Sequence, residues 1–214
     1  MGITDKTWKI VEPYLQPLNG KTMLELGNQQ FYPAGDLAKI WFEKRGVAHI
    51  SVDLGLNSDH GKYPPDYVAD LTKDLPRRIN KRFDIVTDFG TCEHMNMCKC
   101  PQPKSCCHPR AVNAIALYFA RRNMREHCRS GGIMVFDNPA AGYWPGHGFH
   151  YFTEEHYTLL ARQLGDTLLH LSTESVGHGN TQDKNITAVI RRSNVKFPPL
   201  NEYKRLYDLT IKQT

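Results

Sequence analysis

Four acidic side chains stand where short apolar segments of this sequence run out. Glu25, with Gly27, Asn28 and Gln29, closes KTMLEL (21–26); Asp53 follows AHISV (48–52); Asp70 follows residues 67–69; and Asp88, with Phe89 and Gly90, closes FDIVTD (83–88). A carboxylate accepts hydrogen bonds from a vicinal diol or an amino group with strict geometry. Acids after the first three segments, with a glycine at the first turn, suit a ligand carrying a ribose and an amino group. The plainer alternative for any single one of these acids is that loops are polar.

A second group is sulfur-rich. Cys98 and Cys100, then Cys106, Cys107 and His108 after a proline-stiffened PQPKS loop, offer the soft and borderline donors that a tetrahedral zinc ion takes. The spacing is not a paired CxxC, so free thiols, or one disulfide such as Cys100–Cys106, stand beside structural zinc as readings. Because five of the six cysteines fall between 92 and 107, a spread disulfide framework is not expected.

The third group is AAGYWPGHGFHYF, 140–152, rich in glycine and aromatic rings. Tyr143, Trp144, Phe149 and Tyr151 suit either stacking on a flat acceptor or packing against the next helix. His147 and His150 are the candidate general bases, since imidazole titrates near neutrality. Gly142, Gly146 and Gly148 would let the segment hinge.

The elements that must position these groups alternate. Helices are expected over 5–15 (N-cap Asp5), 36–45 (N-cap Asp36, closed by Gly46), 109–128, 153–164 (N-cap Thr153) and 201–212. Strands are expected over 21–26, 48–52, 67–69, 83–88, 133–137, 167–174 and 185–192. Such alternation predicts an α/β three-layer, Rossmann-like sandwich. Its seven-stranded sheet is mainly parallel, with an antiparallel hairpin of the last two strands, which no helix separates. In such a sheet, ligands bind at the carboxyl ends of the strands, where the four acids lie.

MLELGN (23–28), SVDLG (51–55), VADLTKDLP (68–76), FDIVTDFGTCEHM (83–95) and GGIMVFDNP (131–139) resemble the successive motifs of class I S-adenosylmethionine-dependent methyltransferases, over residues 20–192. The resemblance implies S-adenosylmethionine as cofactor. On it, Glu25 and Gly27 lie beside the methionine part, Asp53 and Leu54 at the ribose, and Asp70 and Leu71 at the adenine, while Asp88, Phe89 and Gly90 line the reaction edge. Glu93-His94 matches an acid–histidine pair that many members carry after the fourth strand. The sequence departs from the family's Gly-x-Gly turn: Gly27 is followed by Asn28, Gln29 and Gln30, so Asn28 or Gln29 side chains would stand in for backbone amides. The same departure argues against a nicotinamide enzyme.

The chain has 214 residues, 40% hydrophobic and 23% charged, enough for one methyltransferase-like domain over 1–214 with a core of its own. No apolar run is long enough for a membrane span, so no membrane partner is expected. The opening MGITDKTWKIVEPYL lacks a signal-peptide pattern, which points to a cytoplasmic setting. A small-molecule acceptor is favoured. Nucleic acid is the second class, from the +5 charge and the pairs Arg77-Arg78, Lys81-Arg82, Arg121-Arg122 and Arg191-Arg192. A third reading keeps the fold but loses cofactor binding at the altered Gly27 turn, leaving a non-catalytic partner or scaffold.

Overall fold

A computed structural model describes residues 2–55, 64–79, 81–95, 110–176 and 183–211, with only the backbone at 110–112. Cys98, Cys100, Cys106, Cys107 and His108 lie outside the described residues, and the zinc expectation with them.

The strands β1 (Thr22–Leu26), β4 (Ala48–Asp53), β5 (Tyr67–Val68), β6 (Phe83–Phe89), β7 (Cys128–Pro139), β8 (Thr167–Ser175) and β9 (Lys184–Arg191) form one seven-stranded sheet. Its order is β5-β4-β1-β6-β7-β9-β8; the pairs from β5 to β7 are parallel, and β9 runs antiparallel to both β7 and β8. This is the expected sandwich with its terminal hairpin. The chain leaves β1 toward β4 and β5, then returns to β6 on the other side. That makes the β1/β6 gap the switch point where a doubly wound sheet opens a crevice.

Strand alternation divides the core in two. Met23, Ile85, Phe89, Val135 and Val189 pack with Trp8 of helix α1 (Asp5–Leu15) and Phe42 of α2 (Ala38–Glu43). Leu24, Val86, Phe136 and Ala188 pack on the opposite face with Leu117 of α3 (Arg110–His127), Leu160 of α4 (Glu154–Gln163) and Tyr203 of α5 (Leu200–Thr210). Among the described residues, no helix is long and apolar enough to cross a membrane.

Some boundaries differ from expectation. Thr4, not Asp5, caps α1: its hydroxyl accepts from the Thr7 amide, which places Asp5 in the first turn, where a negative charge also helps. Thr153 caps α4 as expected. Asp36 caps nothing. It pairs, with Leu37, against Gln30–Phe31 in a two-stranded ribbon (β2, Gln30–Phe31; β3, Asp36–Leu37), and its carboxylate takes Lys44 at 2.9 Å. The ribbon occupies chain that would otherwise begin the helix, so α2 starts only at Ala38.

Candidate functional site

The end of β4 and the segment past β6 both meet the turn at Gly27, just past β1. Its φ is 90°, its N–H donates to Val52 O at 2.8 Å, and a Cβ there would come 2.3 Å from Thr91 Oγ1. Only glycine fits both the conformation and the space. Thr91, past β6, donates its hydroxyl to Leu26 O at 2.9 Å and accepts from Gln29 Nε2 at 2.9 Å. The Gln29 amide therefore braces the turn against β6 instead of replacing a missing backbone amide.

Glu25 is buried beneath this turn. Its Oε2 accepts from the Gln29 backbone N–H at 3.4 Å and lies 3.5 Å from His49 Nε2, one strand away. Burial raises the Glu25 carboxyl well above its ordinary range and lowers His49 to about 3. His49 is therefore neutral near pH 7, and burial favours the protonated form of Glu25. Asn28 is buried beside them.

Along the same edge, Asp53 is half-buried and accepts only the Gly55 amide, at 3.0 Å on Oδ1, among the described residues; Leu54 beside it is exposed. Asp70 takes the amide and hydroxyl of Thr72 on Oδ1, and Lys73 lies 3.0 Å from Oδ2. Although partial burial raises it, these bonds hold Asp70 below the ordinary carboxylate range. Leu71 is buried in the core next to it.

The end of β6 holds two fully buried carboxylates with opposite circumstances. Asp88 Oδ1 accepts the amides of Thr91 and Cys92 at 3.1 and 3.0 Å; Oδ2 accepts Arg121 Nη1 and Asn138 Nδ2, both at 2.9 Å. Arg121 Nη2 continues to Asn138 Oδ1 at 2.9 Å and Tyr157 OH at 3.2 Å. Asp88 thus ties β6, α3, β7 and α4 together and is no longer available to line a reaction edge. Phe89 is not available either: it packs in the α1–α2 core, while Gly90, at φ 74°, turns the chain out of the strand.

Five residues on, neither oxygen of Glu93 has a hydrogen-bond partner among the described residues. Its Oε1 lies 3.6 Å from His94 Nε2 and 3.8 Å from His147 Nε2. The two imidazoles face each other, ring centres 4.9 Å apart. Burial, with Asp88 nearby, pushes Glu93 up to about 8; burial, with His147 nearby, pushes His94 down to about 4; and burial lowers His147 as well. His94 and His147 are partly open to solvent, while Glu93 is closed off.

The segment 140–152 supplies His147 and is pinned rather than hinged. Phe149 and His150 amides donate to Glu93 O at 2.7 and 3.2 Å, and the His147 and Gly148 amides donate to Tyr151 OH at 2.9 and 3.2 Å. Trp144 Nε1 donates to Lys184 O at 2.7 Å, and Phe149 is buried. Of the two candidate bases, His150 is engaged in structure: its ring nitrogens lie 3.0 Å from Tyr207 OH and 2.6 Å from Met95 O. His147 remains.

In the sequence Arg121 is half of one of the basic pairs that suit nucleic acid. It is buried in the Asp88 knot. The signal was present: Leu117, Ala120, Arg121 and Met124 follow the spacing of one apolar helix face.

Solved structures share this architecture. A Burkholderia thailandensis 1,6-didemethyltoxoflavin N1-methyltransferase, crystallised with its substrate and S-adenosylhomocysteine, superposes with a TM-score of 0.59 at 15% identity, over 89% of this chain and 78% of that one. The chain has the class I methyltransferase fold. A Mesorhizobium loti S-adenosylmethionine-dependent methyltransferase (TM-score 0.54, 16% identity, 86% and 97% covered) and the N-methyltransferase NodS of Bradyrhizobium japonicum (0.53, 12%, 87% and 93%) share the methyltransferase fold with it. No protein-family model and no curated protein matches the sequence.

In this methyltransferase fold, the Gly27 turn, Asp53 and Asp70 occupy the carboxyl edge on one side of the β1/β6 switch point. Glu93, His94 and His147 occupy it on the other.

Proposed function

We propose that the chain is an S-adenosylmethionine-dependent methyltransferase acting on a small-molecule acceptor. The observation that carries this reading is the Gly27 turn at the β1/β6 switch point, in a methyltransferase fold, with Asp53 one strand away. The donor set suits the cofactor. Asp53 Oδ2 has no partner among the described residues, as a carboxylate awaiting a ribose diol requires. Asp70 keeps its charge for an amino group. When bound, S-adenosylmethionine supplies a methyl group already activated on sulfur, so the protein's task is alignment and desolvation.

On the acceptor side, the neutral imidazoles of His94 and His147 offer lone pairs to a proton or another electron-pair acceptor. Trp144, anchored to Lys184 O, gives this edge an apolar wall.

A small acceptor is favoured over nucleic acid because the basic residues gather elsewhere. Lys81, Arg82, Arg122, Arg192 and Lys196 line a cleft at the opposite ends of the strands, and Arg121 is engaged by Asp88. The Burkholderia thailandensis enzyme, crystallised with 1,6-didemethyltoxoflavin, is in line with this choice.

Isothermal calorimetry with S-adenosylmethionine and S-adenosylhomocysteine tests the cofactor. Saturable one-to-one binding is expected, and absence of binding would leave the scaffold reading standing.

A further inference from the structure

We infer that Glu93, His94 and His147 form a binding site for one divalent transition-metal ion at the acceptor end of the cleft. One donor atom from each residue lies within 4.8 Å of the other two. The carboxylate–imidazole separations of 3.6 and 3.8 Å approach the ~3.4 Å edge of a tetrahedron built on metal–nitrogen bonds of ~2.1 Å. Slight closing of three side chains would complete it.

Burial makes the case independently of spacing. Both oxygens of the fully buried Glu93 carboxylate are unpartnered among the described residues, which is costly, and native structures pair such groups or give them to a metal. His147 Nε2 is likewise buried and unpartnered among the described residues. Two backbone bonds from Phe149 and His150 to Glu93 O hold the loop carrying His147 against the loop carrying Glu93. The donors are therefore presented by two braced segments, as an ion site needs.

Two imidazoles and one carboxylate suit zinc, cobalt or iron(II), whereas magnesium and calcium prefer oxygen donors. Three protein donors leave a coordination position for solvent or an acceptor oxygen. An acceptor hydroxyl bound there would lose its proton more readily and become the better nucleophile. Ion binding stands independently of methyl transfer, whereas ligation of an acceptor oxygen rests on that activity.

The experiment is a cobalt(II) titration of the full, chelator-stripped chain, followed by visible absorption. The expected result is a saturable d–d band without thiolate character, undiminished by Cys98→Ser/Cys106→Ser and by excess magnesium. Glu93→Gln and His147→Asn should each weaken it at least 100-fold while binding S-adenosylhomocysteine like the parent. In the parent, cobalt should also broaden the ring resonances of His94 and His147, a readout that needs no variant. Unbroadened rings, or a cobalt signal lost entirely with the cysteines, would overturn the site. Cofactor binding without a His-ligated ion leaves methyl transfer standing and removes the metal; the reverse outcome removes methyl transfer alone.

Discussion

Asp88 and Glu93 are five residues apart, both fully buried, and treated in opposite ways. Asp88 has four donors at 2.9–3.1 Å, drawn from its own loop, α3 and β7. Glu93 has none among the described residues, only two imidazoles at 3.6 and 3.8 Å. A buried carboxylate with every lone pair answered is a structural joint. One left unanswered in the same low-dielectric setting is a burden on the fold, tolerable where function uses it. The first holds the strand ends in register, and the second stands at the mouth they create.

The largest test of the contrast is Arg121→Met. Removing one partner of the buried pair leaves Asp88 uncompensated and should cost about 3–5 kcal/mol in urea unfolding. A loss below about 1 kcal/mol would mean that the knot does not hold the strand ends.

Asp53→Ala comes next. Among the described residues Asp53 bonds only to its own loop, so the fold should persist while S-adenosylmethionine affinity falls by about 1.5–3 kcal/mol in calorimetry. Unchanged affinity would remove Asp53 from the ribose site.

The smallest effect in stability, and the sharpest in sign, belongs to Glu93. Its ordinary value is 4.5 and its folded value about 8, so between these limits the folded chain binds the extra proton and metal-free stability falls as pH rises. His94 works oppositely, from about 4 up to 6.5, so the window from about pH 6.5 to 8 excludes it and leaves Glu93 together with Glu25, the other carboxyl that burial raises. Over that window the parent should lose stability more steeply than Glu93→Gln, when urea midpoints are compared. Parallel curves would show that Glu93 is solvated or paired.

Much of this was legible in the sequence because it is local. Alternating apolar segments determined the strand–helix order, and the lack of a helix between 167–174 and 185–192 determined the terminal hairpin. The Gly27 turn could be read from one residue, since a positive φ and a crowded neighbour admit only glycine. What each acid does could not be read this way. Asp53, Asp70 and Asp88 look alike at the ends of strands. Only the packing of α3 and β7 over β6 gives Asp88 its four donors, while Asp53 has one among the described residues. His147 and His150 sit three residues apart in one glycine-rich segment, yet α5 and Met95 engage the second and leave the first facing Glu93. Hydrogen-bond satisfaction is a property of neighbours brought together over tens of residues. The sequence determined which groups could do chemistry, and tertiary structure decided which of them remain free to do it.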